Sequence, residues 1–173
     1  MLPGLTLVLG GAASGKTAFA EKLVTGTGRT PVYMATAQAH DDEMRSRIEW
    51  HKELRGAGWR TIEEPLDLGR TLATVSGDSA ILVDCATMWL SNQLLAESDP
   101  AEAEAALMAG LALCAAPVVI VSNEVGLSVV PENALARRFR QAQGELNQKL
   151  AAKAGLVVSV TAGLPQALKG DMP

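Results

Sequence analysis

Eight consecutive residues, Gly10-Gly11-Ala12-Ala13-Ser14-Gly15-Lys16-Thr17, have the types and spacing to hold a chain of phosphates. They fit the pattern G-x-x-x-x-G-K-[ST], the phosphate-cradling P-loop. The glycines let the backbone wrap closely round a phosphate, and Lys16 adds a mobile positive charge for the β and γ phosphates. The Thr17 hydroxyl can complete the shell of a Mg²⁺ ion. The context fits as well. The apolar run Leu5 to Leu9 reads as a buried strand, and Ala18 to Leu23 reads as the start of a helix. Free N–H groups and the helix dipole then face one point, which makes an anion site. The loop predicts a nucleoside triphosphate as ligand.

Three other groups could do chemistry beside it. Asp84 ends the apolar run Ala80 to Val83. It either holds Mg²⁺ through water or caps the next helix. Asn123-Glu124 ends another such run, and ligands of parallel sheets sit beyond the carboxyl ends of the strands. Glu124 either orients a nucleophile or hydrogen-bonds a loop. Arg47, His51 and Arg55 recur at i, i+4, i+8 on an expected helix, with Lys52 alongside. Two arginines disfavour the cationic form of a histidine between them. A neutral imidazole is a competent nucleophile toward phosphorus, with the arginines gripping the phosphates. The same spacing also describes an ordinary solvated basic helix face with an incidental histidine. His40 has no assigned role.

Composition bounds what must position these groups. A chain of 173 residues is most simply one domain spanning residues 1–173. It is 48% hydrophobic, enough for a packed interior, but only 3% aromatic, so the core must be Leu, Val, Ala and Ile. A net charge of −4 argues against non-specific nucleic-acid binding, and any positive site must be local. Cys85 and Cys114 lie in apolar surroundings and read as small core residues. The sequence starts directly on the first strand, with no basic leader and no apolar run of membrane-spanning length, so a cytoplasmic protein is expected.

Further strands are expected at 31–35, 80–83, 117–121 and 156–160, with a short one at Trp59 to Ile62. These runs are continuous rather than alternating, the mark of strands buried on both faces of a largely parallel sheet. Helices are expected from Asp41-Asp42 to about Leu54, after Asp84, from Pro100 to Cys114, and from Pro131 to Leu150. The fold class is α/β, a central, mostly parallel sheet with helices on both faces.

Taken together, several blocks resemble a known family. They are the P-loop, Tyr33 to Gln38, Asp41-Asp42-Glu43-Met44 with Arg47-Ile48 and His51-Lys52, and Trp59 to Glu63. The C-terminal blocks are Asn123 to Gly126, Val130 to Asn133, Arg137, Phe139-Arg140 and Asn147 to Ala151. In order and over nearly the whole chain they are similar to the bifunctional adenosylcobinamide kinase / adenosylcobinamide-phosphate guanylyltransferases of cobalamin biosynthesis. The resemblance implies a RecA-like P-loop NTPase fold and a homotrimer. It implies two reactions. ATP or GTP phosphorylates the aminopropanol hydroxyl of adenosylcobinamide. GTP then guanylylates a histidine, and the GMP passes to adenosylcobinamide phosphate, giving adenosylcobinamide-GDP. The guanylylated histidine falls on His51, with Lys16 as the other catalytic residue. Nucleotide contacts fall on Gly10, Gly11, Ala12, Ala13, Ser14, Gly15, Lys16 and Thr17. They fall also on Thr36, Ala37, Gln38, Lys52, Glu53, Leu54, Arg55, Glu63 and Asp84, with Mg²⁺ held by Thr17 and Asp84. Asp84 stands where a glutamate is common, and Trp50 where some relatives carry a second histidine. The rival readings are a small-molecule P-loop kinase without guanylyl transfer and a nucleotide-binding regulatory module.

Overall fold

The apolar runs become strands buried on both sides, and the computed structural model shows how they are ordered. It describes residues 1–38, 56, 58–96 and 98–173. The helix expected from Asp41 to Leu54 lies outside the described residues. So do Arg47, His51, Lys52, Glu53, Leu54 and Arg55, which it was to carry.

The strands are β1 (Leu5–Gly10), β2 (Thr30–Ala35), β3 (Arg60–Glu63), β4 (Ser79–Asp84), β5 (Val118–Asn123), β6 (Leu156–Thr161) and β7 (Leu164–Lys169). Among the described residues they form one sheet in the order β3-β2-β4-β5-β1-β6-β7. All neighbours are parallel except the β6–β7 hairpin. β4 and β5, in the middle, each carry five consecutive buried residues, as an unalternating run requires.

Among the described residues the helices are α1 (Lys16–Thr25), α2 (Leu68–Leu72), α3 (Ala86–Leu95), α4 (Pro100–Leu113) and α5 (Ala134–Lys153). The step from β1 to β2 crosses the sheet in one direction, whereas those from β3 to β4, β4 to β5 and β5 to β6 run the other way. Right-handed crossovers therefore put α1 on one face and the later helices on the opposite one. The packing agrees. Ala20 and Val24 of α1 meet Val8, Leu82, Val119 and Val158. On the other face Leu68, Trp89, Leu107, Leu146 and Leu150 meet Leu7, Met34, Ile81 and Ile120. Each fully buried Leu or Ile contributes about 1.5–3 kcal/mol relative to exposure.

Three local expectations need correction. The longest helix opens at Ala134, not Pro131. Asn133 is its N-cap, with Oδ1 accepting from the amides of Leu135 and Ala136 at 2.8 and 3.3 Å, and a side-chain acceptor sets a helix start more firmly than a compatible φ. Asp84 does not cap α3. That position belongs to Cys85, whose Sγ accepts from Met88 N at 3.5 Å. Last, the chain after β6 turns back on Ala162 and Gly163 (φ 51° and 79°) and adds β7, a strand the sequence reading had not included. Two positive-φ residues make the tight turn whose twist matches a hairpin.

Candidate active site at the carboxyl edge of the sheet

The parallel register brings the candidate groups to one edge. Gly10 at the end of β1 pairs with Asn123 of β5. Ala35 at the end of β2 pairs with both Asp84 of β4 and Glu63 of β3. Most of the predicted residues among those described therefore share the edge where open α/β sheets hold ligands.

The phosphate loop fills the turn from β1 into α1. A Cβ on Gly10 would lie 2.4 Å from Ser14 Oγ and 2.7 Å from the Val160 carbonyl, so only glycine fits. Gly15 has φ 90°, and a Cβ there would come within 3.1 Å of Gly163 Cα. The hairpin tip thus floors the loop, and Gly163 N donates to Ser14 O at 2.8 Å. Lys16 is buried, and its Nζ donates to Gly11 O at 2.8 Å, which holds the ammonium against the loop. Gly11, Ala12 and Ala13 are exposed and Thr17 half-buried at the start of α1. There the first N–H groups have no partner within the helix.

Asp84 is half-buried, and its Oδ2 accepts from the Tyr33 hydroxyl at 2.9 Å. Tyr33 in turn packs edge-on against Trp59, with ring centroids 6.2 Å apart. Thr17 and Asp84 offer hydroxyl and carboxylate oxygens. That hard donor set suits Mg²⁺, which takes only one or two protein ligands and completes its octahedron with phosphates and water.

Thr36 has a different task. It is fully buried, its hydroxyl donates to Cys85 O and accepts from Cys85 N, both at 2.8 Å, and its carbonyl accepts from Asn92 Nδ2 at 2.7 Å. This side chain clamps the ends of β2 and β4, leaving half-buried Ala37 and Gln38 as the accessible part of that block. Asn92, Trp89 and Gln93 of α3 hold the 65–66 segment through the carbonyls of Pro65 and Leu66. Glu63 is exposed at the end of β3, while its neighbour Glu64 is spent on the amides of Leu66 and Asp67 and the Thr71 hydroxyl. Glu124 takes the loop-bonding option, with Oε1 accepting from Gly126 N at 2.9 Å. Burial, reinforced by the Asp84 charge, pushes the Cys85 thiol up to about 11, so it is a neutral packing group at physiological pH. The sequence reading did not assign Tyr33, Asn92 or the 162–163 turn. Only the turn left a local signal, a glycine between two apolar runs.

The family model described as cobinamide kinase / cobinamide phosphate guanyltransferase matches residues 6–168. The chain belongs to this family. It is an enzyme of cobalamin biosynthesis, a transferase with both the kinase and the guanylyltransferase activity. The bifunctional adenosylcobalamin biosynthesis protein CobP of Pseudomonas aeruginosa is 44% identical to it, covering 95% of this chain and 97% of that protein. CobU of Salmonella typhimurium is 43% identical, covering 95% and 99%. Among solved structures, the flagellar accessory protein FlaH of Methanocaldococcus jannaschii aligns with a TM-score of 0.55 over 99% of this chain and 81% of that one, at 14% identity. A type III secretion ATPase aligns at 0.58 over 94% and 56%, at 10% identity. These two likenesses bear on the fold alone.

Proposed function

We propose that this chain runs both reactions of its family at the carboxyl edge of the sheet, with the phosphate loop serving each. In the first reaction the loop amides and Lys16 hold the triphosphate of ATP or GTP. The hydroxyl oxygen of adenosylcobinamide bonds to the γ phosphorus, the bond to the β-phosphate oxygen breaks, and the hydroxyl proton is lost. In the second, His51 attacks the α phosphorus of GTP and pyrophosphate leaves from the same cradle, giving a guanylyl-histidine. A phosphate oxygen of adenosylcobinamide phosphate then takes the GMP, the P–N bond breaks, and the imidazole is restored. Mg²⁺, held by Thr17 and Asp84, supplies charge neutralisation to the phosphates when bound. Arg47, Arg55 and Lys52 grip the phosphates under attack, and Glu53, Leu54, Thr36 to Gln38 and Glu63 complete the nucleotide contacts. A cytoplasmic homotrimer is the assembly that the family resemblance implies.

The observation that carries this reading is a family match from residue 6 to 168 together with a phosphate loop built between β1 and α1. The test is incubation with α-labelled GTP and Mg²⁺. Acid-labile, base-stable label should appear on the parent and vanish in His51→Ala. Label retained by His51→Ala removes that residue as nucleophile, and a parent that never labels leaves only a kinase.

A further inference from the structure

We propose that the cleft between the loop after β5 and the outer face of α5 binds the phosphate-bearing arm of the corrinoid acceptor. Arg137 and Arg140 are its anion-reading groups. The inference rests on the two-reaction reading above and names where the second substrate sits.

The cleft has a volume of about 480 Å³, within the usual range for small-ligand sites. Gly126, Val130, Arg137, Arg140, Gln141 and Gln148 supply most of its lining. It connects to the nucleotide cradle through three successive hydrogen bonds. Glu124 N donates to Gly10 O at 3.1 Å, Gly126 N to Glu124 Oε1 at 2.9 Å, and Arg140 Nη2 to Gly126 O at 2.5 Å. One wall of the cleft therefore starts at the first glycine of the phosphate loop, where an acceptor has to arrive.

The arginines are pre-positioned. Arg137 Nη1 donates to Pro131 O and Glu132 O at 3.0 and 2.5 Å, as Arg140 does to Gly126 O. Such bonds use only part of a guanidinium, which has five N–H donors in a fixed fork. The remaining donors suit a phosphate taken up in two-pronged fashion. The cleft also contains Glu145, whose Oε1 accepts from Gln141 Nε2 at 2.6 Å, and the Glu124 carboxylate sits on the amide of Gly126, so what the cleft offers an anion is the directed arginine donors rather than an excess of positive charge.

The rim differs in character. Leu127, Val129 and Val130 are 90%, 91% and 64% exposed on the same loop. A bare anion site needs no apolar rim. A macrocycle edged with methyl groups and carrying one charged arm needs both.

The acceptor is uncharged at its hydroxyl in the first reaction and carries a phosphate in the second. The arginines should therefore distinguish the two forms. The experiment is equilibrium dialysis against adenosylcobinamide and adenosylcobinamide phosphate, read by corrin absorbance, for the parent, Arg140→Gln and Arg137→Gln. Each variant should weaken the phosphorylated ligand about tenfold or more, the usual loss for a charged hydrogen bond, and the unphosphorylated one about twofold or less. Binding of a fluorescent triphosphate analogue checks that each variant is folded, and either variant alone suffices for the test. Equal weakening of both corrinoids, or of neither, overturns the cleft assignment. A parent that binds neither corrinoid overturns the two-reaction reading beneath it as well.

Discussion

The amide of Gly163 donates to the carbonyl of Ser14 at 2.8 Å, tying the tip of the β6–β7 hairpin to the phosphate loop. The two glycines at this contact, Gly15 and Gly163, both have positive φ, and a Cβ on Gly15 would come within 3.1 Å of Gly163 Cα. Gly163→Ala should therefore act at a distance. An alanine at φ 79° costs about 1 kcal/mol, and the strain displaces the floor of the loop. The expected result is a lower melting temperature and a Kd for triphosphate several-fold weaker, read by calorimetry and nucleotide titration. A stability loss with unchanged affinity would show that the hairpin braces the sheet but not the loop.

Tyr33→Phe removes the donor to Asp84 Oδ2, while the ring keeps its place against Trp59. Stability should fall by about 1 kcal/mol, the ordinary worth of such a hydrogen bond. Activity should need more Mg²⁺ for half-saturation, because the carboxylate loses the contact that orients it. Asp84→Asn, which removes the charge, should raise that requirement further. A Mg²⁺ titration of the kinase reaction distinguishes them. Identical curves for the parent and both variants would remove Asp84 from the metal site.

Cys85 gives a pH signature. Its folded pKa of about 11 lies above the ordinary thiol value of 9.0. A group whose pKa is raised by folding binds its proton more tightly in the native state. Its contribution is therefore complete below pH 9 and is lost as pH rises toward 11. The loss is about 2–3 kcal/mol for a shift of this size. Cys85→Ser, which keeps a capping atom but does not ionise, should show a shallower fall. Denaturant unfolding of both proteins between pH 8.5 and 11 makes the comparison, and parallel curves would count against the assignment.

Under the end of β5 lies a buried polar cluster. Asn147 Oδ1 accepts from Ser122 Oγ at 2.6 Å and Gln143 Nε2 at 3.0 Å, and Asn147 Nδ2 donates to Asn123 O at 3.2 Å. Asn147→Ala takes the acceptor from Ser122 Oγ and the donor from Asn123 O, while Gln143 Nε2 keeps its bond to Ser122 Oγ at 2.9 Å. It should cost about 2–4 kcal/mol, more than truncating a surface asparagine, because each buried group left without a partner costs about 1–3 kcal/mol. Urea unfolding measures it. A loss below 1 kcal/mol would mean that water enters the gap.

The sheet was legible because burial on both faces writes an unbroken apolar run, as in Ala80 to Val83. The phosphate loop was legible because its whole chemistry is local. β7 escaped because an edge strand with Pro165 and alternating exposure carries no such run. The start of α5 was misplaced because Pro131 and Asn133 both signal a helix opening, and only the hydrogen bonds decide between them. At the site, the Tyr33–Asp84 bond spans 51 positions in sequence, and no spacing rule reaches that far. Thr36 was legible as part of a block but not as a clamp, since its hydroxyl's partner, Cys85, lies 49 positions away, just past the end of the neighbouring strand β4.

The hairpin beneath the phosphate loop has a consequence for how the protein comes into being. Residues 10–17 leave the ribosome long before Ala162 and Gly163, whose turn supplies the loop's floor. Contacts so far apart in sequence close late in folding. A nascent chain should therefore display the full nucleotide signature while lacking the means to hold a nucleotide. Competence should arrive only when the final strand pair is in hand, which spares the cell a half-made enzyme that sequesters GTP.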